Sequence, residues 1–386
     1  MMKITGFHTL TSYQDWERPI GDANGVIESG ITEVPIVVLE TDEGVSGYAT
    51  GSVHDIDRIF PALEGQDPRG VVGLYDRMLG RLFKSGHGGA TFGGLGTLDT
   101  ALWDLKAKIA QEPLWRLLGA HDRYVAGYAS GLDIALNDDE LAAFYRSLAE
   151  RGFSSGKLKG GRDVATDLRR LRIIADELRA NSASPALMLD ANETWNVKQA
   201  VRYLHTVEES IELTWIEEPL SRWDAAGHAR LSSAIRAGVA TGENLTGLEQ
   251  YRPLLDAGAV DVVQAGAVWG VTHFLRVSAA AHSRDLPMSP VGLSANPAVT
   301  HAAAAIPNHL AAEVQHLGTP IGISLDQEFA DGGIVLGDEP GSGIRVDEAA
   351  IIALTTNGGT WQTPTGPHIR SGRAGLSLVA DSPRSR

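Results

Sequence analysis

The sequence predicts an α/β protein whose larger part is a parallel barrel of alternating strands and helices. After residue 122, short apolar runs alternate with stretches that have the apolar period of a helix. Four successive runs end at Lys159, Asp190, Glu217 and Glu243, at spacings of 31, 27 and 26 residues. One strand, one helix and two loops occupy about that length in such a barrel, whose chemistry lies at the carboxyl ends of the strands.

The first 120 residues predict a smaller α+β region. KITGFHTL and EVPIVVLETDEGVSGYAT have strand patterns, with DEG as a hairpin turn. The polar run between them, TSYQDWERPIGDANGVIESG, has the composition of a mobile surface loop. Helical patterns follow to Gln111, and SGHGGATFGGLGTLDTALWDLKAKIA is predicted to change from loop to helix at the caps Thr97 and Asp99. Because neither glycine-rich phosphate motif is present, phosphate binding is disfavoured there.

The barrel elements follow in order along the chain. Eight apolar runs supply strands, from YVAGYAS to HLAAEVQ, and the eighth unit is expected to be irregular. The apolar period predicts helices over 138–151, 164–180, 197–209 and 247–257. We expect four parts: a capping domain, a barrel domain, a turn-rich segment that returns to the first domain, and a flexible tail, over 1–120, 121–325, 326–365 and 366–386.

Composition disfavours several classes of function. The 386 residues carry a net charge of −15, which argues against nucleic acid and anionic membrane as partners. Without cysteine there is no disulfide, thiolate nucleophile or thiolate-bound metal. The N-terminus lacks the apolar core of a signal peptide, and no run approaches the ~20 apolar residues that span a bilayer. We therefore expect a cytoplasmic protein.

The acids at the strand ends predict a metal site. A single acid after a strand is most often a helix cap, but Asp190, Glu217 and Glu243 end three consecutive runs. Carboxylates that converge in this way favour Mg²⁺, with Mn²⁺ as the alternative. Glu218 is expected on the opposite side of its strand. The histidines that fall in helical patterns are expected at the surface: His205, His228 and His282.

In this order and spacing, the motifs KLK, LMLDAN, WIEEPL and GEN resemble the mandelate racemase subgroup of the enolase superfamily. TALWDLKAKIAQEPLWRLLGA and GIVLGDEPGSGI are similar to the same mandelate racemase/muconate lactonizing enzyme family. The resemblance implies a modified (β/α)7β TIM-like barrel under an α+β capping domain, whose loops near 13–30 and 84–94 choose the substrate. It also implies that a base removes the proton α to a carboxylate while Mg²⁺ stabilises the resulting enediolate.

The resemblance assigns roles to individual residues. Lys157 and Lys159 share one face of their strand, and their repulsion beside Mg²⁺ would lower the pKa of Lys159 towards neutrality. Lys159 is then the base, Lys157 binds a substrate carboxylate oxygen, and Glu313 donates a hydrogen bond to that carboxylate. Asn192 and Asn244, one or two positions past a metal ligand, are candidate substrate contacts.

The chain departs from the family pattern on the opposite side of the site. Members that use a second base carry an Asp on the sixth strand and a His on the seventh, where this chain has Gly266 and Val291. His301 falls in a helical pattern, and no lysine follows Lys198. Racemisation needs an acid and a base on opposite faces of the carbon, so one catalytic face disfavours it and permits β-elimination.

The sequence therefore predicts a Mg²⁺-dependent lyase that dehydrates an acid sugar, either an aldonate or an aldarate, to a 2-keto-3-deoxy acid. The conjugate acid of Lys159 would protonate the leaving hydroxyl, or else His54 or His87 of the capping loops would bind and protonate it. Both histidines are equally well explained as solvated loop residues. A cycloisomerase or epimerase, and a degenerate anion-binding homologue, are the alternatives. Family habit predicts a homo-oligomer, from dimer to octamer.

Overall fold

The computed structural model describes residues 2–293 and 296–356. The predicted flexible tail, 366–386, lies outside the described residues, and so does the end of the predicted returning segment, 357–365. No helix within the described ranges is both long enough and apolar enough to cross a membrane.

The amino-terminal region contains a three-stranded antiparallel sheet and a small hairpin. Its strands are β1 (Ile4–Asp15), β2 (Ile20–Asp22), β3 (Gly25–Ile27), β4 (Ile31–Thr41) and β5 (Gly47–Thr50). The sheet order is β1–β4–β5, and β2 pairs with β3. The polar run predicted to be a loop is thus largely strand, because β1 stays paired with β4 as far as Asp15↔Ile31 and Trp16 then packs with Ile20 and Ile27.

Four helices complete this region. They are α1 (Ile56–Ile59), α2 (Val71–Leu82), α3 (Gly89–Ala110) and α4 (Leu114–Leu117). The prediction that α3 begins at Thr97 or Asp99 is wrong, because the glycine-rich segment is itself helical from Gly89. Its glycines allow close packing: a Cβ on Gly96 would lie 2.5 Å from the backbone of Trp269. Neither predicted cap serves α3, and Asp99 instead accepts hydrogen bonds from Thr272.

The second region is a closed barrel of eight parallel strands. The strands are β6 (Tyr124–Ser130), β7 (Ser155–Lys159), β8 (Ala186–Asp190), β9 (Trp215–Glu217), β10 (Gly238–Thr241), β11 (Val262–Gly266), β12 (Met288–Val291) and β13 (Ala312–Val314). Strands β6 to β12 pair in sequence order, and β13 pairs with β6. A parallel bridge between Met288 and His309, just before β13, closes the ring.

Seven helices separate these eight strands. They are α5 (Asp138–Ala149), α6 (Val164–Leu178), α7 (Val197–Glu208), α8 (Ala225–Ser232), α9 (Leu248–Asp256), α10 (Val271–His282) and α11 (Pro297–Ala304). Local sequence determines where α5 and α7 begin, because Asn137 and Asn196 form capping boxes with Glu140 and Gln199. The four predicted barrel helices agree with the structure to within two residues at each end. The predicted (β/α)7β barrel is confirmed.

The described part of the carboxyl-terminal segment contacts both regions. It contains β14 (Ile323–Leu325), β15 (Gln327–Ala330), β16 (Gly333–Leu336), β17 (Ile344–Val346) and α12 (Glu348–Thr356). The β15–β16 hairpin pairs with β6 and extends the barrel sheet. The side chains of Ile323, Ile344 and Ile351 pack against Ile36 and Val38 of the amino-terminal sheet. The segment therefore binds the capping sheet to the barrel.

Candidate functional site

Strand register brings the predicted residues together at the carboxyl end of the barrel. Lys159 is paired with Asp190, and Asp190 with Glu217, across three neighbouring parallel strands. Ala240 is paired with Glu217, so Glu243 lies in the loop three residues beyond. The regular length of the βα units thus places these polar side chains in one layer.

The two lysines contact the acids directly. The ammonium group of Lys157 contacts Glu217, lies 2.8 Å from Glu313 Oε1 and lies 3.6 Å from Asp190 Oδ2. The ammonium group of Lys159 donates to Asp190. Lys157 is completely buried and Lys159 nearly so, so these charges interact in a medium that screens them weakly.

The expected lowering of the pKa of Lys159 is not found in this structure. Burial and the charge of Lys157 both lower that pKa, but contact with Asp190 outweighs them and raises it above the ordinary lysine value. In turn Lys159 and Lys157 overcome the effect of burial and lower the pKa of Asp190. Lys159 is therefore an ammonium ion here, and it can accept a proton only after its contact with Asp190 is weakened.

Glu313 lies on β13 at the centre of a hydrogen-bond network. Its carboxylate accepts from Ser130 Oγ at 2.8 Å and from the Gly292 amide at 3.1 Å. Although burial opposes ionisation, Lys157 and Lys159 lower the pKa of Glu313. In this state Glu313 is an acceptor, so the expected role as a donor would require a proton that the structure disfavours.

The negative charges of Glu217 and Glu243 are offset by different neighbouring groups. Glu217 is buried, accepts from Gln264 Nε2 at 2.7 Å and contacts Lys157. Burial nevertheless raises its pKa to about 8, and Asp190 adds to the rise. Glu243 accepts from the side chain of Asn244 at 3.2 Å, and its enclosure in the protein raises its pKa to about 7. Burial thus outweighs the nearby lysines, and it favours the neutral form of both carboxyls.

The prediction that Glu218 faces away from the site is wrong. Its backbone adopts a left-handed φ of 40°, which ends the strand alternation. The side chain lines the same cavity as Lys159 and Glu243, and it accepts from Asn244 Nδ2 at 2.8 Å. Burial and the neighbouring Glu243 raise the pKa of Glu218 well above its ordinary value.

Lys159, Glu218, Glu243 and Glu313 line a cavity of about 430 Å³, called the inner cavity below, whereas Lys157, Asp190 and Glu217 are buried behind its lining. Asn192 and Asn244 line it, as predicted from their positions. The Oδ1 atom of Asn192 is buried without a hydrogen-bond partner among the described residues. Asp22 and Asn24 of the β2–β3 hairpin also line the cavity, and Asn24 donates to the backbone oxygen of Asn192 at 2.9 Å. The inner cavity therefore lies between barrel and hairpin.

Gly266 and Val291 lie together on the opposite wall. They are paired in the β11–β12 register, and both line the inner cavity. Two residues earlier, Gln264 points below the cavity, where it donates to Glu217. Among the described residues that line the inner cavity there is no histidine.

The other predicted histidines lie elsewhere. His54 is exposed, and His87 donates from Nε2 to the Leu79 carbonyl oxygen at 2.9 Å. Neither is among the described residues that line the inner cavity. His301 lies in α11, buried, where Nδ1 accepts from the Trp115 amide at 3.0 Å. His205 and His282 are exposed as predicted. His228 is not, because it lies on the inward side of α8 with no exposed area.

Several residues at the site were missed by sequence reasoning. Arg222 lines the inner cavity and donates to Glu193 at 2.5 Å. Asp133, in the loop after β6, accepts from the Lys159 amide at 3.1 Å and from Tyr145 at 2.9 Å. Arg222, four residues after Glu218, follows a recognisable motif and could have been considered. No sequence motif marks Asp133, because its role depends on contacts with residues distant in the sequence.

The donor set fits a hard divalent cation. Asp190, Glu217 and Glu243 offer only oxygen atoms at neighbouring strand ends, which suits Mg²⁺. The raised pKa values of two of these acids and the unpartnered Oδ1 of Asn192 are consistent with such a cation. In the present conformation, no three Asp, Glu or His side chains of the described ranges are arranged to hold a metal, and Lys159 and Lys157 contact Asp190 and Glu217.

Comparison with known proteins identifies the family. Residues 10–119 match the mandelate racemase/muconate lactonizing enzyme N-terminal domain, and residues 140–350 match the enolase C-terminal domain-like family. L-talarate/galactarate dehydratase of Salmonella typhimurium is 34% identical over 287 residues, which cover 69% of this chain and 71% of that protein. The 3,6-anhydro-alpha-L-galactonate cycloisomerase of Streptomyces coelicolor is 30% identical over 304 residues, with 78% and 82% covered.

A solved structure agrees with this assignment over nearly the whole fold. A racemase from Streptomyces coelicolor with bound magnesium superimposes with a TM-score of 0.82 at 27% identity, and 91% of this chain and 99% of that chain are covered. The same family assignment is supported by both regions of the molecule, by the motif spacing and by the arrangement at the strand ends. The chain is a member of the mandelate racemase/muconate lactonizing enzyme family of the enolase superfamily.

Proposed function

We propose that the protein is a Mg²⁺-dependent lyase that dehydrates an acid sugar to a 2-keto-3-deoxy acid. The observation that carries this proposal is the one-sided distribution of proton-transfer groups around the inner cavity. Lys159 lies on one wall, and Gly266 and Val291 lie on the opposite wall. Dehydratase relatives support the reaction class.

In the proposed mechanism, Asp190, Glu217 and Glu243 would hold Mg²⁺. The bound cation would supply positive charge that stabilises the enediolate form of the substrate carboxylate. Lys157, buried among acids, stays protonated and contributes fixed positive charge beside that carboxylate. Glu313 of β13 holds Lys157 in place, and Ser130 of β6 donates to Glu313. The β2–β3 hairpin, through Asn24, restricts the access of water.

Lys159 performs both proton transfers in this proposal. In its neutral form, Nζ takes the α-proton as the C–H electron pair moves into the enediolate. The β C–O bond then breaks, and the departing hydroxyl takes the same proton from the ammonium group and leaves as water. The resulting enol tautomerises to the 2-keto-3-deoxy acid. Because one group serves as base and then as acid, no residue at Gly266 or Val291 is needed.

A substrate screen tests the proposal. Aldonates and aldarates are incubated with the protein and Mg²⁺, and 2-keto acid is measured. We expect keto product from one stereochemical series, its loss in Lys159→Ala, and its retention in Lys198→Ala, which removes an exposed lysine of α7. Conversion of lactones or cyclic acids without any keto product from the sugars would contradict dehydration and favour a cycloisomerase.

We also propose a homo-oligomeric assembly, which light scattering in solution would test. A mass of two to eight chains of 41.0 kDa is expected. A monomer at micromolar concentration would contradict it.

A further inference from the structure

A second space adjoins the inner cavity, between the barrel and the amino-terminal sheet. This outer chamber has a volume of about 470 Å³ and is lined by residues that include Trp16, Pro35, Ser52 and Asn296. Val268, Trp269, Gly292 and Gln315 line both spaces. The distal end of a ligand whose reacting carboxylate lies beside Lys159 would enter the outer chamber if it extended past Trp269.

The two spaces differ in charge. The inner cavity is lined by acids and by Lys159 and Arg222. Among the described residues that line the outer chamber, Glu33 alone has a charged side chain, and its charge is negative. A second carboxylate placed there would meet no lysine or arginine of the described lining and would be repelled by the charge of Glu33.

The two tryptophans present hydrocarbon to the chamber. The indole N–H of Trp16 donates to Thr32 Oγ1 at 3.0 Å, and that of Trp269 donates to the backbone oxygen of Glu243 at 2.5 Å. Tryptophan has no other polar atom. Because each donor is already used within the protein, the rings can offer a ligand only apolar contact.

One side-chain oxygen atom of the outer chamber can still accept a hydrogen bond. Asn296 is 5% exposed, and its amide donates to the Ala267 carbonyl at 3.0 Å. Its Oδ1 atom is buried without a partner among the described residues. An oxygen acceptor of this kind suits one ligand hydroxyl, and it repels a carboxylate.

Resting on the proposed function, we infer that the natural substrate is a monocarboxylic acid sugar with an uncharged, hydrocarbon-bearing distal end. The carboxylate and the reacting carbons occupy the inner cavity. The distal end lies between Trp16 and Trp269, where it makes apolar contacts and donates one hydroxyl hydrogen bond to Asn296. The outer chamber disfavours an aldarate, because its second carboxylate would find Glu33 and no cation in the described lining.

The experiment compares three acids of identical configuration at carbons 2 to 5: a hexonate, its 6-deoxyhexonate and its hexarate. Affinity is measured by calorimetry with Mg²⁺, and 2-keto acid formation is measured separately. We expect the 6-deoxyhexonate to bind at least tenfold more tightly than the hexarate. A hexarate that binds equally well or better, or the absence of binding by all three acids in every series, would overturn the inference. The expected ranking without keto product would support the inference and contradict dehydration alone.

A charge-insertion variant tests the position of the distal end. Val268→Arg places a cation at the wall shared by the two spaces, where Val268 is 41% exposed. We expect the affinity ratio of hexarate to 6-deoxyhexonate to rise at least tenfold. The matched control Val72→Arg, at a similarly exposed site on α2, should leave the ratio unchanged. An unchanged ratio in a folded Val268→Arg protein would place the distal end elsewhere and overturn the inference.

Discussion

The two walls of the inner cavity are held together by different forces. On the wall formed by β7, β8 and β9, two buried lysines contact buried acids, and the register of the strands brings them into one layer. On the wall formed by β11 and β12, Gly266, Val291 and Trp269 provide shape and apolar surface. In the proposed mechanism the first wall moves protons and binds a cation, whereas the second positions the ligand.

The second wall has no room for an added side chain at Gly266. A Cβ atom on Gly266 would lie 2.7 Å from the Glu243 carbonyl oxygen and 2.9 Å from Trp269 Nε1. An acid at this position would therefore displace either the loop that carries Glu243 or the indole that separates the two spaces. Backbone packing around Gly266 therefore maintains the difference between the walls. Four changes test this difference.

Loss of the base should have the largest effect. We expect Lys159→Ala to lower kcat/KM for the keto-forming reaction by about 10⁴-fold, since a positioned base contributes up to roughly that factor. Val291→Ala on the opposite wall should lower it by only a few-fold. Steady-state assays of keto acid measure both. Equal losses from the two variants would remove the distinction between the walls.

Removal of the divalent cation should have the next largest effect. Chelation should lower the rate by at least about 10³-fold, because the enediolate loses its main charge stabilisation. Mg²⁺ should raise the melting temperature of the wild-type protein and of Glu249→Gln, an exposed change on α9, but not that of Glu243→Gln. Full activity in excess chelator, or the same Mg²⁺-induced shift in Glu243→Gln, would contradict the assigned ligand.

The pH dependence of stability tests how the second wall is held. Asp99 of α3 is buried and accepts from the Thr272 amide at 2.7 Å, at the start of the helix that follows β11. Burial raises the pKa of Asp99 from 3.8 to about 7. The folded state thus keeps a proton that the unfolded state releases, so this group's contribution to stability is complete below pH 4 and is lost as pH rises through about 7.

We therefore expect the free energy of unfolding of the wild-type protein to fall between pH 4 and 7 relative to Asp99→Asn. The slope should be up to about 1.4 kcal/mol per pH unit, because one proton is involved. Urea unfolding of both proteins at four pH values measures it. Parallel pH profiles for the two proteins would show that Asp99 does not carry the proton.

A glycine replacement should have the smallest effect. Gly266→Ala should lower the free energy of unfolding by about 1–3 kcal/mol, because the new methyl group meets backbone. Gly80→Ala is the control, since its Cβ would meet nothing within 4 Å on helix α2, and alanine there should stabilise by about 0.5–1 kcal/mol. Chemical denaturation measures both. A neutral Gly266→Ala would show that the second wall can accept a side chain.

The first wall was predictable from the sequence and the second only in part. The spacing from Lys159 to Asp190 to Glu217 follows from the length of one βα unit, so the sequence alone aligns these strand ends. The resemblance to the family pattern identified Gly266 and Val291 as the opposite pair, and the β11–β12 register pairs them.

Features that depend on local backbone or distant packing were missed. The left-handed φ of Glu218, which brings its carboxyl into the inner cavity, has no sequence signal because glutamate rarely adopts it. The early start of α3 at Gly89 depends on glycines packing against Trp269, and composition alone predicts a loop. The raised pKa of Lys159 follows from its contact with Asp190, which periodicity could not supply.

The most direct test of a one-sided site is the fate of the α-hydrogen in deuterated water. The reacting acid sugar is partly converted with Mg²⁺ in D₂O, and the recovered substrate is examined by NMR for deuterium and for configuration at carbon 2. A single base on the Lys159 wall predicts keto product and recovered substrate of unchanged configuration. Deuterated substrate of inverted configuration would contradict it, because inversion requires a second proton-transfer group on the wall of Gly266 and Val291.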